Sequence, residues 1–501
     1  MSEVGQQVRN ARRVSTPLVA INTPDPAATI KAVCVAIESS NQGTPPVKVQ
    51  WDYVQGYTGL NDAGREWSKQ HEGTEANPFG ALVAAHQLPD GALLFIHLAS
   101  AWLPEPQIIQ ATWNLRDAFK ANQRMVIFLA KCLILPAELS DDVTTFDEPL
   151  PTEAELAEIV TRQHRNAELQ CDEATASRAV EALRGLSAFS AEQVTAMSLR
   201  RDGMDMNRCW DRKRQQIEQT PGLKVFRGGE SFESIGGCDV VKGFLSRVVK
   251  GQARPNAVVF VDEIEKMLGG RGDLSGVSQD QLGAILTYMQ DHNAAGMIFI
   301  GPPGAAKSAI AKAAGNEAGI PTVQLDLGSC KGSLVGQSEQ QLRSALNVID
   351  AVSNGRSLWI ATCNAIADLP PELRRRFTLG TFFFDLPTET ERRGIWEIYV
   401  SKYFGEIKGY EDRLTGAWEL NSEGWTGAEI RQCCDIAWRL SCTLKEAAAF
   451  VVPVSRSAAD KLEALRSQAD GRFLSASQPG VYQRKTQIAP VTTGRQIRLE
   501  E

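Results

Sequence analysis

The chain lacks the features that would send it out of a cell or into a membrane. No apolar run approaches the about 18 residues that a membrane-spanning helix needs. The segment Met1 to Arg13 is polar and basic, without an apolar signal core. The 10 cysteines are scattered and form no Cys-x-x-Cys pair; Cys433 and Cys434 are adjacent within a helical pattern. This usage suggests neither a zinc site nor a disulfide framework, and it fits a cytoplasmic or equivalent reducing compartment. A positive excess is also missing. The formal charge of −7 argues against a broad nucleic-acid surface, and no nucleic-acid-binding module is recognisable. The expectation is a protein that is neither secreted nor membrane-spanning. What is present is ample chain: 501 residues, 43% hydrophobic and 23% charged, describe a globular protein of several domains with large cores.

Short apolar runs alternate with helical segments. Leu18–Thr23, Val47–Tyr53, Ala92–Leu98 and Met125–Ala130 read as strands in the first third. Val258–Val261, Met297–Ile300, Thr322–Leu327, Leu358–Ala361 and Thr381–Phe384 read as strands in the second. Apolar strands separated by helices predict parallel sheets covered on both faces. The chain also echoes itself. Leu135-Pro136-Ala137-Glu138-Leu139 resembles Leu369-Pro370-Pro371-Glu372-Leu373, and Leu150-Pro151-Thr152-Glu153 recurs as Leu386-Pro387-Thr388-Glu389. Two matches in the same order predict two related domains. The divisions expected are a first α/β domain over 1–215, a linker over 216–231, a second α/β domain over 232–388, helices over 389–474 and a polar tail over 475–501. That tail is expected to be flexible or to clasp a neighbour.

Straight after the apolar run Met297–Ile300 comes Gly301-Pro302-Pro303-Gly304-Ala305-Ala306-Lys307-Ser308. Gly, four residues and Gly-Lys-Ser/Thr between a strand and a helix form a phosphate-binding loop. Ala306 stands where the second glycine is expected. Glycine suits such loops because the backbone turns sharply and its N–H groups approach the phosphates closely. Lys307 would neutralise β/γ-phosphate charge, Ser308 would ligate Mg²⁺, and the following helix would point its positive N-terminus at the anion.

Val258-Val259-Phe260-Val261-Asp262-Glu263-Ile264-Glu265 is an apolar strand ending in carboxylates. Asp262 would hold the Mg²⁺ shell, and Glu263 would orient and deprotonate the attacking water. In most proteins with such a loop the acidic strand follows it; here it precedes it. One strand–helix unit therefore reads as transplanted ahead of the loop, which a parallel sheet can accept because spatial order need not follow chain order. Asn364 ends the strand Leu358–Thr362, where it can position water or touch the γ-phosphate. Arg374-Arg375-Arg376 follow, and guanidinium forks suit phosphate oxygens.

Together these parts resemble the AAA ATPase family. Phe232-Glu233-Ser234-Ile235-Gly236-Gly237 resembles its adenine-side entry motif, and Leu334-Val335-Gly336-Gln337-Ser338-Glu339 its central-loop motif. Thr362-Cys363-Asn364 matches sensor 1, Arg374 to Phe377 the arginine-finger turn, and Gly424-Trp425-Thr426-Gly427-Ala428-Glu429-Ile430 the start of the sensor-2 helix. A closer resemblance is to the two-domain AAA proteins of hypothetical chloroplast and cyanobacterial reading frames, which carry a degenerate AAA half before an active one. The resemblance implies an α/β fold: a P-loop NTPase (AAA) three-layer parallel sheet with a helical lid, preceded by a degenerate AAA-like α/β domain. It implies ATP and Mg²⁺ as cofactors and a homo-oligomer, a hexameric ring being possible, that remodels a protein or assembly. It places nucleotide contacts at Ile235, Gly236, Gly301 through Ala309, Gly427 and Ala428. In a ring an arginine would act on the neighbour's nucleotide, and which of Arg374, Arg375 and Arg376 does so stays open. An ATP-gated scaffold with negligible turnover is the alternative, favoured by Ala306 and the shortened finger turn. Leu334 stands where polypeptide-threading members carry an aromatic, which weakens a threading role.

In the first domain the echo sets Ser140-Asp141-Asp142 against the three arginines and Ala130-Lys131 near the place of Asn364. Thr23-Pro24-Asp25-Pro26 follows the first strand with no Gly-Lys-Ser, and the strand carrying His97 has no Asp-Glu end. This half is expected to bind nucleotide poorly and to serve as scaffold or in partner recognition, with His97 a packing residue. Arg271-Gly272-Asp273 reads as a loop after a helix start. The Trp-containing helix Ile430–Leu440 reads as lid core.

Overall fold

The computed structural model describes residues 2–38, 45–131, 133, 135–226, 229–267, 277–326, 328–329, 337–366, 371–405 and 410–484, with backbone alone at 216, 266–267, 277–280, 337–340, 371 and 410. The chain divides into two compact units, Met1–Gln216 and Ile217–Glu501.

In the first unit, β1 (Leu18–Asn22), β2 (Lys48–Asp52), β3 (Gly56–Gly59), β4 (Leu93–Ile96), β5 (Met125–Ala130) and β6 (Thr144–Asp147) form one sheet in the order β3-β2-β4-β5-β1-β6. Only β3 is antiparallel to its neighbour. Successive side chains of a strand face opposite ways. Leu18 and Ala20 therefore join Trp51, Leu94 and Phe128 on one face, while Val19 and Ile21 join Phe95, Ile127 and Val33 on the other. A strand buried on both faces can be apolar at every position, which is why these strands read as unbroken runs. The same unit continues into helices Glu153–Asn166, Glu173–Leu183 and Ala188–Ser198 and a hairpin of β7 (Leu199–Arg200) and β8 (Gly203–Met204). The helices share a separate core around Leu156, Val160, Leu183 and Val194.

In the second unit, β9 (Leu223–Phe226), β10 (Ala257–Val261), β11 (Ala295–Ile300), β12 (Thr322–Leu325), β13 (Ser357–Cys363), β14 (Thr381–Phe383) and β15 (Leu474–Ser475) run in the order β15-β14-β11-β13-β10-β12-β9. Val259 and Val261 face one core with Ile298, Trp359 and Leu342; Val258 and Phe260 face the other with Phe299, Ile310 and Leu245. Helices Glu389–Phe404, Tyr410–Glu419, Gly427–Leu440 and Leu444–Ala448 make a lid around Trp396, Phe404, Ile430 and Cys433. Cys434 is buried there too, but Trp438 is 51% exposed, so the helix expected to be core throughout turns one tryptophan to solvent.

After the lid the chain returns to the sheet. Helix Ala459–Ala469 and β15 bring Ala469, Phe473 and Tyr482 into the sheet's core. Arg466 donates to Asp385 Oδ1 from Nε (2.9 Å) and Nη2 (2.7 Å), and the Tyr482 hydroxyl donates to Asp385 Oδ2 (2.7 Å). Residues 459–484, expected partly as lid and partly as tail, thus close the edge of the sheet beside β14. Among the described residues no helix is long and apolar enough to cross a membrane.

The two sheets correspond strand for strand: β6-β1-β5-β4-β2-β3 against β14-β11-β13-β10-β12-β9. Their registers correspond as well. Asn22 lies opposite Ala130 and Asp147, as Ile300 lies opposite Cys363 and Phe383. The repeated Leu-Pro-Thr-Glu is a repeated capping box, with the Thr152 and Thr388 N–H groups each donating to the carboxylate three residues on (Glu155, Glu391) at 2.8 Å. Chain order alone differs. β4 follows β1, whereas its counterpart β10 precedes β11 and still occupies the same place in space.

Candidate functional site

The phosphate-binding loop leaves β11 at Gly301 and enters the helix Lys307–Ala318. Its first residue must be glycine, because a Cβ there would lie 2.2 Å from the Phe384 carbonyl oxygen. Ala306, immediately before the helix, has φ 65° and ψ 7°. The alanine thus adopts the left-handed backbone that glycine would favour, and the turn survives the substitution. Pro303 and Gly304 stand exposed at the loop's rim, while Ala305 is buried.

Lys307 is only 6% exposed. Its ammonium donates to the Gly301 and Pro302 carbonyl oxygens, each at 2.7 Å. Burial pulls its pKa down to about 8, against the opposing pull of the carboxylates Glu265, Asp262 and Glu263.

The acidic strand meets the loop across β13. Asp262 Oδ1 accepts the Ser308 hydroxyl at 2.8 Å and the Thr362 hydroxyl at 2.6 Å. Thr362 Oγ1 in turn accepts the Glu263 N–H at 3.0 Å. Asn364 Nδ2 donates to Glu263 Oε1 at 3.1 Å, and its backbone N–H donates to Glu265 Oε1 at 3.0 Å. The transplanted strand therefore delivers Asp262 and Glu263 to the loop and to Asn364. Glu265 is a member of this network with no role assigned from sequence, and Thr362, placed only within the sensor 1 match, had no bonding partner assigned. A threonine in a buried strand carries no signal by itself, whereas the third carboxylate of Asp262-Glu263-Ile264-Glu265 was visible. Glu263 sits at φ 50°, and so does Leu98 (φ 52°) at the equivalent strand end of the first unit. Since Leu98 has no carboxylate, this left-handed residue belongs to the strand-to-turn geometry rather than to chemistry.

Among the described residues no group of three or more His, Cys, Asp or Glu could hold a metal unaided. One hydroxyl and one carboxylate 2.8 Å apart are hard oxygen donors. They suit Mg²⁺, which completes its shell with phosphate oxygens and water.

The lid closes the other side of the loop. A Cβ on Gly304 (φ 82°) would meet Thr426 Oγ1 at 2.9 Å and Ala428 Cβ at 3.0 Å. One on Gly427 would lie 4.0 Å from the Gly304 carbonyl oxygen and 3.9 Å from Ile395, and one on Gly236 would meet Ile395 Cγ1 at 2.6 Å. Ile395 thus lies against both Gly236 and Gly427, and Gly427 faces the loop at Gly304.

The arginines are not gathered with them. Helix Pro371–Arg376 ends beside the start of β11, where the Leu379 N–H donates to the Gly296 carbonyl oxygen at 2.8 Å, whereas the loop leaves the other end of that strand. Arg376 Nη2 donates to Gln290 Oε1 at 2.5 Å. Leu334-Val335-Gly336, Arg271-Gly272-Asp273 and the tail beyond Arg484 lie outside the described residues.

The first unit fills the equivalent position with its own side chains. Only Thr23, Pro24 and Asp25 separate β1 from the helix Pro26–Glu38. Glu148 occupies the place of Phe384, and its carboxylate accepts the hydroxyls of Thr23 and of Thr29 (2.6 Å). Asp25 Oδ1 accepts the Ala28 N–H at 3.1 Å. A helix start that elsewhere receives phosphate here faces carboxylates. His97 takes the place of Asp262; its Nε2 lies 3.3 Å from Gln50 Oε1, and burial lowers its pKa.

Comparison with known proteins agrees with this geometry. Residues 5–148 match the SpoVK-like AAA ATPase N-terminal domain, and residues 153–220 match the second domain of the same family. Residues 297–351 match the ATPase family associated with various cellular activities (AAA). That match begins on the loop strand and ends before β13, where the chain passes over the place of an acidic strand. Similar proteins include the uncharacterized AAA domain-containing protein ycf46 of Pyropia yezoensis, 23% identical over 94% of this chain and 99% of that protein. The protein of the same name from Gracilaria tenuistipitata var. liui is 26% identical over 76% of this chain and 79% of its own. With the loop, the acidic strand and the sheet order in place, the chain belongs to the AAA ATPase family, in its SpoVK-like two-domain branch.

Proposed function

We propose that this chain hydrolyses ATP with Mg²⁺ and uses the cycle to remodel a protein or assembly. The observation that carries this reading is the hydrogen-bonded network Ser308–Asp262–Thr362 and Glu263–Asn364, which spans the loop, the acidic strand and β13. Bound Mg²⁺ would neutralise charge on the phosphate oxygens, held on the protein side by Ser308 and Asp262. Lys307 leaves the loop carbonyls for the β/γ-phosphates. Glu263, held by the Asn364 amide, takes a proton from the attacking water. Arg374, Arg375 and Arg376 cannot serve their own loop from the far end of β11, so they act on a neighbouring copy in a homo-oligomer. The first unit, with its phosphate position occupied by Glu148 and Asp25, serves as scaffold or partner-recognition module.

The test is steady-state ATPase activity of wild type, Lys307→Ala and Glu263→Gln, with Mg²⁺ and across protein concentration. Turnover that rises with assembly and vanishes in both variants supports the reading. Tight ATP binding by the wild type without turnover would replace it with an ATP-gated scaffold.

A further inference from the structure

Of the acidic run Asp262-Glu263-Ile264-Glu265, the last carboxylate has no part in the chemistry described so far. Glu265 lies in the turn Ile264–Met267 that follows β10, and this turn brings its side chain to the end of β13. There Oε1 accepts the Asn364 N–H at 3.0 Å. The two strand ends are laced together in both directions. The Glu263 N–H donates to Thr362 Oγ1 at 3.0 Å, and Asn364 Nδ2 donates to Glu263 Oε1 at 3.1 Å. Asn364 is therefore held at its main chain by one carboxylate while its side chain holds another. An amide can fix a general base only as closely as its own backbone is fixed.

Glu265 Oε2 is buried and accepts no hydrogen bond. A carboxylate oxygen withdrawn from water without a donor is unfavourable. What the charge supplies is a charge-assisted bond from Oε1, stronger than a neutral acceptor would make. Its field also reaches the loop. Burial lowers the pKa of the Lys307 ammonium, and Glu265 opposes that fall more strongly than Asp262 or Glu263. We propose that Glu265 is a positioning residue for hydrolysis: by fixing the Asn364 main chain it aims the Asn364 amide, and through it the Glu263 carboxylate, at the attacking water. This rests on the ATPase reading above.

Glu265→Gln and Glu265→Met lose the same charge at similar volume, and only the first keeps an acceptor for the Asn364 N–H. Comparing them separates the hydrogen bond from the field at Lys307. A misplaced general base forfeits part of an effect worth about 10²–10⁴-fold. Glu265→Met should therefore show a kcat at least tenfold below that of Glu265→Gln, with KM for ATP within twofold in the two. In an Asn364→Ala background the two should differ less than twofold, because the amide that they aim is gone. The second readout needs no turnover. In protein labelled at asparagine for nitrogen NMR, the Asn364 backbone and Nδ2 signals are assigned by their loss in Asn364→Ala. They should stay near their wild-type positions in Glu265→Gln and move towards those of free amides in Glu265→Met. Glu265→Ala gives the same readouts should Glu265→Met fail to fold. Equal kcat in Glu265→Met and Glu265→Gln overturns the proposal and leaves the ATPase reading standing. So does a difference that survives in the Asn364→Ala background, which would put the action of Glu265 elsewhere. A wild type without turnover whose Asn364 signals still depend on Glu265 overturns hydrolysis and keeps Glu265 as the residue that fixes Asn364.

Discussion

The Lys307 ammonium predicts proton uptake when nucleotide binds. In the empty site it is 6% exposed, and burial holds its pKa near 8. A triphosphate brings several negative charges to that ammonium, which raises its pKa again. The sign follows: the charged form is favoured by binding, so affinity falls as pH rises through about 8. Between pH 7 and 9 the charged fraction of the free protein drops from about nine-tenths to about one-tenth, weakening binding roughly tenfold. Titration calorimetry at pH 8 in two buffers of different ionisation enthalpy should show uptake of about half a proton per site. Lys307→Arg, whose guanidinium stays charged, should show none. The free protein carries the matching signature. Its folded-state pKa lies below the unfolded value of 10.5, so the unfolded chain binds more protons between about pH 8 and 10.5. Stability should rise across that window, by up to about 3 kcal/mol, and Lys307→Met should flatten the rise. Affinity that stays level from pH 7 to 9, with heats independent of buffer, would refute the argument.

Two further outcomes follow from backbone and packing. Ala306→Gly removes a Cβ from a left-handed residue, a relief of about 1–2 kcal/mol that the greater freedom of unfolded glycine partly offsets. A thermal melt should therefore show an unchanged or slightly higher midpoint, and a clear fall would contradict the strain. Asp385→Ala leaves Arg466 and the Tyr482 hydroxyl without their shared acceptor. It should cost about 2 kcal/mol, and Tyr482→Phe about 1 kcal/mol. Limited proteolysis should then cut near β15 first, and a cleavage pattern like the wild type's would show that the segment is held by other contacts.

The loop was legible because Gly301 to Ser308 must lie between a strand and a helix to cradle phosphate, and both flanks are written beside it. The central strands were legible because burial on two faces leaves most positions apolar. Other elements gave no such signal. β6 is largely exposed at Thr144–Asp147, and β15 has only Leu474 and Ser475, held by an ion pair between residues far apart in the chain. The edge strands β3 and β9 are short and partly exposed. The filling of the first unit's phosphate position could not be read along the chain either. Glu148 faces Thr23 only because β1 and β6 pair in a particular register. The partnership of Thr362 with Asp262 depends on β10 and β13 being neighbours in the same way.

Because a strand–helix unit starts and finishes at one edge of a parallel sheet, such a unit can be cut out and spliced elsewhere in a gene. Here the seams are adjacent: the Asn256 N–H donates to the Arg356 carbonyl oxygen at 2.8 Å, and Ala295 pairs with Leu358. Residues 256 and 295 flank β13, about two interstrand spacings or 10 Å apart, a gap that a few residues bridge. A synthetic gene that moves codons 256–294 between those for Gly355 and Arg356 would encode the acidic strand after the loop, as β4 follows β1 in the first unit. During translation the present order brings the carboxylates out of the ribosome before the loop they serve. In the spliced gene the loop would emerge first and wait for them, so the same finished site would be assembled along the opposite timetable.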